Sequence, residues 1–303
     1  MSKYNFDGRV AVVTGAGRGI GRAYARLLAE LGASVVVNDL GGTMEGEGTD
    51  AEPAATAAAD IVDAGGSAIA DTNDVATVAG GQALIDGAVE EFGRIDIVVN
   101  NAGNIRFGSL PDVDAANLES HLAVHVGGSF NTTRAAWPHM VAQGYGRVVM
   151  TTSTGMFGRP DNLGYATAKA GVIGMTRSLT AAGAGHGIKV NLIAPSASTR
   201  MVLPPGGSES VAPAPKHMEP ALVAPMVAFL AHEDCPVTGE IYLAGAGRFA
   251  RIFIAATDGY VHPRPDHLTI EDIADNWATI NDETGYYVPT GLMDWSKHYM
   301  AHR

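Results

Sequence analysis

A single cysteine, Cys235, stands in 303 residues. The chain therefore forms no internal disulfide and no cysteine-built metal cluster, a composition suited to a reducing compartment. Cys235 reads as a small residue at a helix end rather than a nucleophile. Positive charge is also short: 20 Lys and Arg against 32 Asp and Glu leave a formal charge of −12, which argues against nucleic acid as a partner because phosphate binding needs a basic surface. Long apolar runs are missing too. Stretches such as Val35 to Val37 fall far below the roughly 20 residues that span a bilayer, and the opening MSKYNFDGRV has no apolar signal core. The expectation is a cytoplasmic protein with no membrane or nucleic-acid partner.

What is present is apolar sequence, 46% of residues, in an alternating rhythm. Short β-branched runs (VAVVT, SVVVN, SAIAD, IDIVVN, RVVMT, KVNLIA, EIYLA) alternate with helical patterns between Arg9 and Leu243. Seven buried strands separated by helices predict an α/β fold with a doubly wound, seven-stranded parallel sheet. One such domain is expected over residues 1–244. A C-terminal extension over 245–303, containing Trp277 and Trp295, is expected to pack on that domain or on a sister subunit. Two stretches interrupt the rhythm: the polar, glycine-rich Gly41 to Pro53, and the proline-rich Pro195 to Pro220. The second leaves the carboxyl end of a strand, where open α/β sheets bind ligands, and reads as a substrate lid.

The first strand runs directly into TGAGRGIG, Thr14 to Gly21. Glycines there allow a tight turn and a close backbone approach to a pyrophosphate, and the following helix presents free N–H groups to that anion. The second strand ends at Asp39, 18 residues beyond Gly21, close to the spacing at which a carboxylate accepts hydrogen bonds from the adenosine ribose. A carboxylate there repels a 2′-phosphate and favours NAD over NADP; Arg18 is the contrary hint. Asp74 and NNAG, Asn100 to Gly103, end the third and fourth strands and should face the same crevice.

The fifth strand ends in TTST, Thr151 to Thr154, and the next helix carries Tyr165 and Lys169 at i and i+4, on one face. An ammonium beside a phenol favours the phenolate and lowers the tyrosine pKa. A hydroxyl from Ser153 or Thr152 would hold the same substrate oxygen. That is the arrangement hydride chemistry needs, since the alcohol proton must be removed as the C–H bond breaks.

The set TGAGRGIG, NNAG, Ser153, YATAK and Pro195 resembles the classical short-chain dehydrogenase/reductase family from about Phe6 to Leu243. The resemblance implies that Ser153 orients the substrate oxygen, that Tyr165 is the general acid/base, and that Lys169 binds the nicotinamide ribose. It also implies NAD contacts by Gly15, Arg18, Gly19, Ile20, Asp39, Asp74, Val75, Asn101, Ala102, Gly103, Tyr165, Lys169, Pro195 and Thr199, and a homodimer or homotetramer. Three departures stand out. His125 occupies the place where the family commonly has a proton-relay asparagine. Ser153 lies 12 residues before Tyr165, one fewer than usual, although alignment from the strand selects it over Thr152. Pro195 is followed by Ser196 instead of glycine.

VVVNDLGG, VHVGGSF, TRAAWPHM, APSASTRM and the tail from GAGR look like one branch of that family. This branch holds the 3-hydroxyacyl-CoA dehydrogenase domains of peroxisomal multifunctional enzymes, also called 17β-hydroxysteroid dehydrogenase type 4, and their bacterial stand-alone relatives. It implies NAD-linked oxidation of a secondary alcohol on a 3-hydroxyacyl-CoA or a 17β-hydroxysteroid, with His125 as a branch feature. The final AHR is no peroxisomal address. Arg106, Arg159 or Arg200 could meet CoA phosphates, and Met156, Phe157, Met201, Val202 and Leu203 could form an apolar substrate wall. Two other readings stay open: an NADPH-dependent 3-ketoacyl reductase, and a non-catalytic NAD-binding regulator.

Overall fold

In a computed structural model of the chain, residues 3–199, 215–264 and 266–301 are described. The β-branched runs become β1 (Val10–Thr14), β2 (Ser34–Asn38), β3 (Ser67–Asp71), β4 (Ile97–Asn100), β5 (Gly146–Thr151), β6 (Ile188–Ser196) and β7 (Ile241–Gly245). All adjacent pairs among them are parallel. Helices cover the sheet, so strands such as β1, β4 and β5 are buried at every position. The strand order is β3-β2-β1-β4-β5-β6-β7-β8, which reverses direction between β1 and β4 and opens a crevice beyond their carboxyl ends.

Two details differ from the sequence expectation. The sheet has an eighth strand, β8 (Arg248–Ile252), next to β7. Ala246 and Gly247 connect them with φ of 52° and 74°, the paired positive values of a tight hairpin turn. β3 is not buried, because it lies at the sheet edge and each of its residues is exposed or half-buried.

The helices are α1 (Gly19–Glu30), α2 (Glu52–Asp63), α3 (Val78–Phe92), α4 (Ala115–His121), α5 (Ser129–Gln143), α6 (Leu163–Gly183) and α7 (Ala224–Ala231). Between α4 and α5 the helix widens into π geometry over Leu122–Gly128, a distortion frequent at functional sites. Cys235 follows α7 and is fully buried.

The strands start from a shared anchor at the amino end. Asp96, fully buried, accepts hydrogen bonds from Arg94 (Nε and Nη2, both 2.7 Å), from Arg9 (3.1 Å) and from the Val10 N–H (3.0 Å). Its own backbone carbonyl accepts from the Arg147 N–H at 2.9 Å. One carboxylate thus aligns the beginnings of β1 and β4, and its backbone reaches β5.

The chain divides into two compact units, Met1–Arg251 and Ile252–Arg303. The second contains α8 (Ile270–Asp275), α9 (Trp277–Ile280) and α10 (Leu292–Tyr299). It is ordered by a Thr269–Asp272 capping box, an antiparallel bridge between Ala256 and Tyr287, and stacking of Trp295 on Tyr299 at 4.8 Å.

Replacing Asp96 by Ala leaves two arginines and a backbone N–H without their common acceptor. Because both arginines retain some solvent contact, the loss should be about 3 kcal/mol, the lower end for a broken buried ion pair. Urea unfolding of the variant and the parent measures it.

Candidate active site

The turn after β1 brings the backbone close to the crevice, with φ of 63° at Gly15 and 54° at Gly19. Among the described residues no side chain caps α1, and its first turn holds no acidic residue. Its leading N–H groups therefore remain open to an anion. A cleft of about 500 Å³ lies there, lined by residues that include Gly15, Arg18, Gly19, Ile20, Asp39, Asp74, Val75, Asn101, Ala102, Gly103 and Thr199. The residues singled out for a dinucleotide thus share one cleft, except Tyr165, Lys169 and Pro195. Pro195 lies within β6, in register with Ala244.

Asp39 organises one end of the cleft. One carboxylate oxygen accepts from the Gly17 N–H at 2.9 Å and the other from the Gly41 N–H at 2.8 Å. Arg18 points to the carbonyls of Gly41 and Gly42, both at 3.4 Å, and to Asp50 at 3.8 Å. Its charge is directed at the Gly41–Asp50 loop.

The second cluster gathers at the end of β5 and the start of α6. Thr152 is fully buried and donates its hydroxyl to the Lys169 carbonyl at 2.6 Å, so its side chain fastens helix to strand. Ser153 is half-buried and accepts from the Gly155 N–H at 3.0 Å. Of the two candidate hydroxyls, Ser153 is the one beside Tyr165.

Lys169 is 3% exposed and donates to the Thr151 carbonyl at 2.8 Å. Burial pushes its amine down to about 7, because a charged ammonium loses its hydration there. Its nitrogen lies 5.7 Å from the centre of the Tyr165 ring. The expectation of a lowered tyrosine pKa is corrected: burial raises the phenol above its usual value, and the hydrogen bond with Ser153 opposes that shift without cancelling it. The amine points to a carbonyl, and desolvation penalises the phenolate more than its surroundings favour it.

His125 lies in the π segment, 2% exposed, with its ring edge-on to Tyr165 at 5.4 Å. Its Nε2 lies 2.8 Å from the Asn104 carbonyl. A carbonyl can only accept, so Nε2 carries the hydrogen and Nδ1 is left as a buried acceptor with no partner among the described residues. Burial, followed by the charge of Lys169, holds the imidazole well below its usual pKa, so it is neutral. Gly103 makes room for it, since a Cβ there would overlap ring atom Cε1. His121, which sequence reasoning missed, stacks 6.0 Å from His125 and meets Tyr165 edge-on at 6.2 Å. The only sequence signal for it is the i, i+4 spacing of the two histidines.

Arg106 and Arg159 are not free cations. Arg106 pairs with Glu47 at 3.6 Å, and Arg159 grips Asp161 at 2.7 and 3.0 Å. Met156 is half-buried and Phe157 is 71% exposed, whereas Arg200, Met201, Val202 and Leu203 lie outside the described residues.

The short chain dehydrogenase family model matches residues 9–203, a span that includes the cleft and both clusters. The chain belongs to the short-chain dehydrogenase family. It is an oxidoreductase of a family whose cofactors are nicotinamide nucleotides. The chain is 42% identical to a putative short-chain type dehydrogenase/reductase of Mycobacterium tuberculosis, covering 91% of this chain and 95% of that protein. It is 41% identical to peroxisomal multifunctional enzyme type 2 of Drosophila melanogaster over 92% of this chain, yet spans only 46% of that longer protein. The full-length fly enzyme superposes with a TM-score of 0.80 at 32% identity, covering 98% of this chain and 49% of that one. A short chain dehydrogenase from Mycobacterium avium gives 0.79 at 33% identity, covering 92% and 98%. Among the described residues no helix is long and apolar enough to cross a membrane.

Lys169 supplies a pH test. Its pKa is depressed on folding, so below about pH 7 both folded and unfolded chains carry the proton and the burial penalty is complete. Between pH 7 and its ordinary value near 10.5 only the unfolded chain binds that proton, so the penalty fades as pH rises. The stability of Lys169→Met relative to the parent should accordingly fall between pH 7 and pH 9.5. Paired urea titrations at the two pH values check the sign.

Proposed function

We propose that the protein is an NAD-dependent dehydrogenase that oxidises the secondary alcohol of a 3-hydroxyacyl-CoA, with Ser153, Tyr165 and Lys169 at the reacting centre. The observation that carries the reading is the gathering of Ser153 and the Tyr165 ring around Gly155, with the buried Lys169 amine 5.7 Å from the ring centre. The acyl-CoA assignment draws on the relatives, which include multifunctional enzyme type 2 and, at 38% identity, the peroxisomal hydratase-dehydrogenase-epimerase of Saccharomyces cerevisiae. NAD is favoured over NADP by Asp39, whose carboxylate lines the cleft, and by Arg18, whose cationic end is directed to loop carbonyls and Asp50.

The residues fit a dinucleotide: an uncapped helix end for the pyrophosphate, and a carboxylate for the ribose hydroxyls. A nicotinamide nucleotide held there in its oxidised form would supply the hydride acceptor and a positive charge beside the reacting centre. Tyr165 removes the alcohol proton, and Ser153 holds the substrate oxygen as it becomes a carbonyl. Burial favours the protonated phenol, so Tyr165 needs nearby positive charge to act as a base. Lys169, with its amine brought near neutrality, can hold a proton there or release it. Its bond to the Thr151 carbonyl fixes that nitrogen in position. Thr152 contributes rigidity, because its hydroxyl ties α6 to β5.

NAD reduction should be strongest with 3-hydroxyacyl-CoAs in a panel that also contains 17β-hydroxysteroids and sterol side-chain thioesters. A preference for the steroids would refute the acyl-CoA assignment. Tyr165→Phe should keep NAD affinity and lower kcat by about a hundredfold or more, the scale of a positioned acid/base. Near-parental turnover in that variant would remove Tyr165 from the role. Asp39→Ala should narrow the preference for NAD over NADP, measured as the ratio of the two kcat/KM values.

A further inference from the structure

The glycine-rich Gly41–Asp50 loop is stitched into the protein at both ends. At its root, Gly41 donates to Asp39 at 2.8 Å and Asp50 donates to the Leu40 carbonyl at 2.9 Å. At its tip it meets the three residues that follow NNAG. The Ile105 N–H donates to the Met44 carbonyl at 2.9 Å. Arg106 Nε reaches the Glu45 carbonyl at 2.7 Å, and Asn104 Nδ2 reaches the same oxygen at 3.4 Å. Gly42, Thr43 and Gly46 from this strap, and Asn104 opposite them, line the cleft.

Two of these residues, Asn104 and Arg106, hold the histidines through their backbone. His125 Nε2–H donates to the Asn104 carbonyl at 2.8 Å. The Arg106 N–H donates to His121 Nε2 at 3.1 Å, while His121 Nδ1 meets the Asn117 carbonyl at 2.7 Å. The two rings are thereby fixed in opposite neutral tautomers, and both stand edge-on against Tyr165. Asn104 is 2% exposed and its Nδ2 is also held by Ser120 Oγ at 2.7 Å.

We propose that Asn104–Arg106 is a positioning element that seats His125 and His121 against Tyr165 and takes its own position from the Gly41–Asp50 strap, so that filling the adenosine end of the cleft sets the placement of the general acid/base. This rests on the dinucleotide reading of the cleft and adds residues outside the reacting trio. The link is mechanical: one short stretch of buried backbone bonds the strap on one side and two imidazoles on the other. Strap and rings thus share this stretch through hydrogen bonds of 2.7 to 3.4 Å, the route by which a change at one side would reach the other. Lys169, His121 and Tyr165 are the titratable groups around His125, and Arg106 and Lys169 are the charges acting on His121.

Gly46→Ala tests the link away from the reacting centre. A Cβ at Gly46 would stand 2.9 Å from Asn104 Nδ2, and φ there is +83°, so the added methyl presses on Asn104 itself. The nitrogen resonances of the imidazoles, assigned with His125→Asn and His121→Asn, report on the rings without any turnover. Two arms are read: the Gly46→Ala variant alone, and the unaltered protein with ADP, a fragment lacking the nicotinamide riboside, whose binding is followed by calorimetry. Both arms should move the His125 and His121 signals. Gly46→Ala should also lower kcat at saturating cofactor by about threefold or more, beyond any rise in KM. If ADP does not bind, the dinucleotide reading fails and the inference fails with it. If ADP binds and the imidazole signals stay in place, the inference alone is overturned. A Gly46→Ala effect confined to the cofactor KM would likewise overturn it. The ADP arm decides without the variant, should Gly46→Ala not fold.

Discussion

A lysine amine at 3% exposure is the constraint around which the site is arranged. Desolvating an ammonium costs several kcal/mol even after relaxation, so the fold has to hold Lys169 firmly and give it a partner. It is attached to the end of β5 twice: its amine to the Thr151 carbonyl, and its own carbonyl to the Thr152 hydroxyl. Those bonds fix the start of α6 against the strand and place Tyr165 next to Ser153. They also explain why neighbouring threonine and serine hydroxyls differ in use. Thr152 is consumed by the strand–helix junction, and Ser153 is left half-buried beside the Tyr165 ring.

The nucleotide cleft follows a similar logic with the sign reversed. Asp39 is surrounded by N–H donors from the turn after β1 and from the root of the strap, so one carboxylate fixes the geometry of two glycine-rich segments. The π segment between α4 and α5 then brings His125 inward, into space that Gly103 leaves free of a Cβ. The cleft and the proposed reacting centre consequently meet at the NNAG stretch and the residues after it, where Gly103 and Asn104 line the cleft and also contact His125.

Much of the fold was legible because parallel buried strands require β-branched runs and their crossovers require helical periodicity. These signals are local. The missing eighth strand shows the limit: its turn is Ala246-Gly247 rather than an Asn-Gly or Asp-Gly pair, and the strand itself, RFARI, holds one β-branched residue and no buried position. The Gly41–Asp50 loop had the composition of a flexible connection, and its order comes from partners some sixty residues away in sequence. Nothing local could announce those contacts.

By itself the sequence determined the parallel α/β sheet, the glycine turn with Asp39, and the pairing of Tyr165 with Lys169 on one helical face, because each depends on spacing within a short segment. Only the tertiary structure decided the rest. It placed Ser153 at the phenol and Thr152 in the strand–helix junction, pointed the Lys169 amine at a carbonyl, raised the phenol pKa by burial, and turned Arg18, Arg106 and Arg159 toward nearby acceptors. Hydrogen-bond partners and desolvation are set by residues distant along the chain, so no pattern of neighbours encodes them.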